Sequence, residues 1–134
     1  MALLVYDINN YIKNNLPAAY DDIEIFPMVG YSEVAPPFML YFWLPSKVNV
    51  ERYYIRRDFI FYDIYDTDAA RLFDLVNEME KLFNLADEIQ GQVDSSTNRV
   101  MWSEWRGGTP TAPMADEGFY KMSFEVWIGY VPLS

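Results

Sequence analysis

The sequence predicts one α+β domain: a mainly antiparallel β-sheet flanked by two helices. Three observations predict it. Two stretches carry apolar residues at helical spacing. Five stretches read as strands. Their order, α-β-β-β-α-β-β, lacks the regular strand–helix alternation of a parallel sheet. No repeat, low-complexity linker or second-domain boundary interrupts residues 1–134, and a chain of this length buries roughly two-thirds of the surface it exposes when unfolded.

The elements follow in order. Leu4, Ile8, Tyr11, Ile12 and Asn15 fall at helical spacing, and Pro17 stops the pattern, which predicts an amphipathic helix over 2–15. "DDIEIFPM" (21–28) gives a short strand whose Pro27 suggests an edge or a bulge. The stretch 28–37 is a loop punctuated by Gly30 and the Pro36-Pro37 pair. "FMLYFWL" (38–44) is apolar throughout, as expected of a strand buried on both faces.

The long strand 52–65, "RYYIRRDFIFYDIY", puts Tyr53, Ile55, Arg57, Phe59, Phe61 and Tyr65 on one face. Tyr54, Arg56, Ile60, Tyr62 and Ile64 occupy the other. Asp66 or Thr67 is placed to cap the next helix, 68–86, whose stripe is Ala69, Leu72, Phe73, Val76, Met79, Phe83 and Ala86. Residues 97–106 and 119–131 read as strands, the second alternating cleanly. Between them, "GGTPTAPMADEG" (107–118) is a connection without periodicity.

Composition narrows the chemistry. The chain has no cysteine and no histidine, which excludes disulfides, thiol nucleophiles, zinc sites of the usual Cys/His type and His-based acid–base catalysis. Twenty acids against ten bases leave a net charge of −10, so a phosphate-gripping surface is not expected. Aromatics make up 18% of the residues, an excess typical of interfaces or of a Tyr-rich sheet surface. The first residues carry no basic stretch ahead of an apolar one, as a signal peptide would. The apolar run Phe38 to Leu44 is too short to span a bilayer, so no membrane partner is expected.

Candidate sites are few. Asp63, Asp66 and Asp68 do not match the spacing of a calcium loop, and acids at 66 and 68 suit a helix start. Asp21, Asp22 and Glu24 read as solvated acids entering an exposed strand rather than as a catalytic pair. Neither catalytic residues nor a cofactor or metal is therefore expected. Arg52, Arg56 and Arg57, beside Asp58 and Asp63, suit cross-strand or inter-subunit ion pairs. Tyr62 joins them as a candidate contact. Trp102 and Trp105 in "WSEWRGG" are candidate interface anchors pointing to opposite faces. Pro110, Pro113 and Met114 stiffen the 107–118 connection into a candidate docking arm.

The opening "LLVYDINNYIKNNL", the apolar "FMLYFWL", the long "RYYIRRDFIFYDIYD", the helix "TDAARLFDLVNEMEKLFNLAD" and the closing "FYKMSFEVWIGYV" together resemble the tail terminator proteins of long-tailed bacteriophages. The resemblance spans nearly the whole chain and lies in length, element order and acidity. It implies a non-enzymatic virion protein, assembled in the host cytoplasm, that forms a ring, typically a hexamer. The ring sits on the last ring of the tail-tube protein, ends tube growth, and joins a neck or head-completion protein. Genome DNA passes through its channel without specific binding. The acids expected to face that channel are Asp21, Asp22, Glu24 and Asp94. Another phage connector, such as a neck or tail-tube protein, and a small-ligand-binding α+β domain are the alternatives.

The 52–65 strand leaves one question: what covers its second face. Ring neighbours are one answer. The other is intramolecular, with helix 2–15 on one face and helix 68–86 on the other.

Overall fold

Two helices and six strands make up the computed structural model, which describes residues 3–28, 36–45, 55–107, 114–116 and 118–133. In chain order they are α1 (Leu4–Asn15), β1 (Glu24–Pro27), β2 (Phe38–Leu44), β3 (Arg56–Asp66), α2 (Ala69–Phe83), β4 (Asn98–Trp105), β5 (Met114–Asp116) and β6 (Phe119–Pro132). The α+β class and the predicted element order hold. The addition is β5, three residues inside the connection read as structureless, which pair with the start of β6.

The strands run in the order β1-β2-β3-β6-β4, antiparallel except for the parallel pair β1–β2, and β5 shares with β4 the far side of β6. β1 is an edge strand, where Pro27 can lack an N–H without breaking an inner ladder. β3 and β6 form the centre, paired over eleven residues from Arg56↔Tyr130 to Asp66↔Tyr120.

Period-two alternation then assigns the faces. Ile60, Tyr62 and Ile64 of β3 sit beside Val126, Phe124 and Met122 of β6, and all six are buried. Against them pack Leu4, Val5, Ile8, Tyr11 and Ile12 of α1 and Leu72, Leu75, Val76, Met79 and Phe83 of α2, in one continuous core. Each such side chain contributes about 1.5–3 kcal/mol by leaving water. The Tyr11 hydroxyl donates to the Leu82 carbonyl at 2.8 Å, tying the helices together. Tyr62 donates to Asn9 Oδ1 at 2.9 Å, tying α1 to the sheet. Both helices therefore lie on the same face, which overturns the intramolecular answer of one helix per face.

Local chemistry sets the boundaries. α1 ends with the Leu16 N–H donating to Ile12, just before Pro17. The cap of α2 is Asp68, whose carboxylate accepts from the Arg71 N–H, rather than Asp66 or Thr67. Asp66 is buried, and its Oδ1 accepts from the Asp68 N–H. At the other end, Ser103 of β4 donates its hydroxyl to the Phe83 carbonyl and its N–H to the Ala86 carbonyl, fixing α2 to the sheet edge.

β2 departs from its expected burial on both faces. Phe38, Met39 and Leu40 are buried, but Phe42 and Leu44 are 43% and 46% exposed. Both belong to the face that neither helix covers, which the buried Phe38 and Leu40 share by register.

Candidate functional site

The second face of the sheet carries cross-strand rows of aromatic and charged side chains. Leu44, Phe59, Trp127 and Glu104 form one row across β2, β3, β6 and β4. Phe42, Phe61 and Glu125 form the next, then Leu40, Asp63 and Ser123, then Phe38, Tyr65 and Lys121. The rings meet: Phe59 and Trp127 at 4.8 Å between centroids, Phe38 and Tyr65 at 4.9 Å, Tyr65 and Phe119 at 5.4 Å, Phe42 and Phe61 at 6.2 Å. Phe59, Phe61, Tyr65 and Trp127 are half-buried, and among the described residues no helix or strand packs over them.

Cations lie on this aromatic floor. The Arg57 guanidinium stands 5.3 Å from the Phe59 ring centroid and 4.9 Å from that of Trp127. Arg106, just beyond β4, stands 4.2 Å from the same indole. Lys121 lies 5.9 Å from the Tyr65 ring. The acids of the face are engaged. Glu104 pairs with Arg106 at 3.3 Å, Glu125 accepts the Trp127 indole N–H at 2.6 Å, and Asp63 accepts from Ser123 at 2.5 Å beside Lys121. A depression of about 240 Å³, lined by Phe61, Asp63, Arg106, Ser123 and Glu125 among others, offers room for a side chain.

The expected contact residues divide between the faces. Arg57 and Trp102 are on the open face. Trp102 lies over Gly129, brought opposite it by a bulge between Val100 and Trp102. Trp105 points to the helix side, as the parity of the pair predicted, and stacks on Phe124 at 4.9 Å. Tyr62 is a correction. It is fully buried beneath α1, stacked on Phe124 at 5.1 Å, so it offers a partner nothing. Burial pushes its phenol pKa well up. Arg56 is exposed on the helix-side parity, beside Tyr130 and the buried Asp58. Arg52, Pro110 and Pro113 lie outside the described residues, and Met114 enters only through its backbone in β5.

The four candidate channel acids do not form one patch. Asp21, Asp22 and Glu24 follow the C-terminal end of α1. Asp22 pairs with Arg71, whose hydrogen bond holds its carboxyl below the usual range. Asp94 is exposed next to Ser95, whose hydroxyl donates to Asp7 in the first turn of α1 at 2.8 Å. A helix of twelve residues, about 18 Å long, separates the two groups.

Asp63, Asp66 and Asp68 diverge too, one on the open face, one buried on the helix side and one capping α2. Among the described residues no group of three or more His, Cys, Asp or Glu is placed to hold a metal.

Sequence reasoning missed Trp127, Phe59 and Arg106 as members of this site. The signal that could have found Phe59 and Trp127 was parity: both fall on the strand face opposite Ile60 and Val126. Scanned against known protein families and against curated proteins, the sequence matches none.

Proposed function

We propose that this chain is a structural virion protein of the tail-terminator kind. Copies form a ring, six in number, on the last ring of the tail tube, end its growth and join it to the neck or head-completion protein. Genome DNA passes through the central channel. The observation that carries the reading is the one-sided sheet: both helices pack on one face of β3 and β6, and the aromatic face opposite has no helix or strand over it among the described residues. Neighbouring subunits of such a ring would cover what a single subunit leaves open.

The charge suits the same reading. Six chains would carry about −60 formally, so the acids must be spread or face solvent or the bore, where carboxylates repel phosphates. The exposed Glu24 and Asp94 are the proposed contributors. The connection 107–118 is the proposed contact with a neighbouring subunit or ring.

Electron microscopy of phage tails, with the mass of the purified assembly, tests the proposal. The expected result is a closed ring at the head-proximal end of the tube. A single copy there, or tails of normal length and joining without this protein, would overturn it.

A further inference from the structure

We propose that the open face is seated head to tail on a second copy of this chain, with Arg57 taking a carboxylate from the neighbour's acidic shoulder around Arg71. The inference deepens the ring reading and rests on it. Arg57 carries it. Its guanidinium lies against the adjoining rings of Phe59 and Trp127, yet its Nε is buried with no hydrogen-bond partner, and Arg57 makes no ion pair among the described residues. Aromatic faces attract the charge of a guanidinium but do not accept its five N–H donors. A carboxylate on the two terminal Nη groups would do both, in a forked geometry that suits arginine, since the buried Nε is out of a neighbour's reach.

That carboxylate does not come from a matching open face. Among residues whose side chains are described, the face carries four bases, Arg57, Arg99, Arg106 and Lys121, and three acids, Asp63, Glu104 and Glu125, and each acid is already engaged. Face-to-face pairing would bring Arg57 no free acceptor. The chain's surplus of acids lies elsewhere. One concentration surrounds Arg71, with Asp21, Asp22, Asp66, Asp68 and Asp74 close in chain or space and Arg71 pairing with Asp22 and Asp66. Asp74 and Glu78 lie near enough to Tyr20 to push its phenol pKa up, after burial, which does so most. Asp21, Asp68 and Asp74 are exposed there.

A contact between two different surfaces of the same chain is heterologous, and repetition closes it into a ring when the rotation permits. The slight excess of bases among the described residues of the open face favours contact with the acidic shoulder of a second copy. With strands about 4.8 Å apart and rising about 3.3 Å per residue, the face spans on the order of 600 Å² in projection, at the lower end of one partner's share of a specific interface.

Sedimentation velocity on the full chain tests the inference with three proteins: wild type, Arg57→Glu, and the double variant Asp21→Lys, Asp74→Lys. Wild type is expected to associate with rising concentration. Each variant alone is expected to associate about 30-fold more weakly or worse, since each loses one half of the contact. An equimolar mixture is expected to recover association, because the unaltered Arg57 face of one variant meets the unaltered shoulder of the other, and the reversed charges at 57 and at 21 and 74 again oppose each other in sign. Circular dichroism checks folding, and Arg57→Gln, with a loss of about tenfold, replaces Arg57→Glu if the latter unfolds.

Three outcomes overturn the inference. Wild type staying monomeric at millimolar concentration removes the second copy as occupant. Arg57→Glu dissociating while the acidic variant associates normally means that the open face pairs with itself. Arg57→Glu lowering the melting temperature with no change in mass means that another segment of this chain covers the face. The ring reading fails separately, on the tails themselves.

Discussion

The indole of Trp102 lies over Gly129, so close that a Cβ at position 129 would stand 2.1 Å from its Cε2. The bulge in β4 turns Trp102 towards β6 at the one position of that strand without a side chain, and the missing atoms make the slot for the ring. Gly129→Ala should therefore cost about 1–3 kcal/mol, because either the indole or the backbone must move. Urea unfolding measures it. In a Trp102→Ala background the same change should cost little. Equal costs in both backgrounds would show that the ring does not occupy the slot.

Tyr130 predicts the alkaline behaviour of the fold. Burial, then the nearby Asp58, push its phenol up to about 12. Its unfolded pKa is about 10, so above that value the unfolded chain gives up a proton that the folded chain keeps. The contribution is fully present below pH 10 and is lost as pH rises from about 10 to 12, at up to about 1.4 kcal/mol per pH unit. Tyr62 is raised in the same direction by burial and adds to the slope. Stability measured between pH 9 and 11 should fall for the wild type and fall less steeply for Tyr130→Phe. Identical slopes would remove Tyr130 from the account.

Asp68 begins α2. Its side chain accepts from the Arg71 N–H at 3.1 Å, satisfying a first-turn donor that the helix cannot. Asp68→Ala should cost about 1 kcal/mol and Asp68→Asn much less, read from thermal melts. Thr67→Ala, one residue earlier, should be near neutral, and a larger loss there would move the cap.

The periodic elements were legible in the sequence because their signals are local. The stripe of Leu72, Val76, Met79 and Phe83 is a helix wherever it packs, and the alternation in 119–131 is a strand beside any neighbour. The placement of α1 was not legible. Nothing local to Leu4, Ile8 and Ile12 tells which face of β3 they meet; they are buried in the core shared with α2, where Asn9 receives the Tyr62 hydroxyl and Tyr11 reaches Leu82. β5 was missed because three residues show no period, and its pairing with Phe119–Lys121 is set by the turn through Gly118, at φ 90°. Of the site, Arg57 and Trp102 were named from residue type, whereas Arg106 and Trp127 meet only once the sheet is assembled.

Ile60 and Phe42 test the difference between the two faces. Ile60 is fully buried on the helix side, and Phe42 on the neighbouring strand is 43% exposed on the open side. Ile60→Ala removes methyl groups from a packed core and should cost about 2–5 kcal/mol. Phe42→Ser gives up a contact with Phe61, 6.2 Å between ring centroids, and should change monomer stability by about 1 kcal/mol or less. If the open face is where copies meet, the ranking reverses for assembly. Phe42→Ser should then weaken self-association, while Ile60→Ala, at temperatures where it stays folded, should leave it intact. Unfolding free energies and sedimentation on the same two variants measure both rankings. A loss of several kcal/mol of stability with unchanged association in Phe42→Ser would mean that side chain belongs to the core and not to a contact surface.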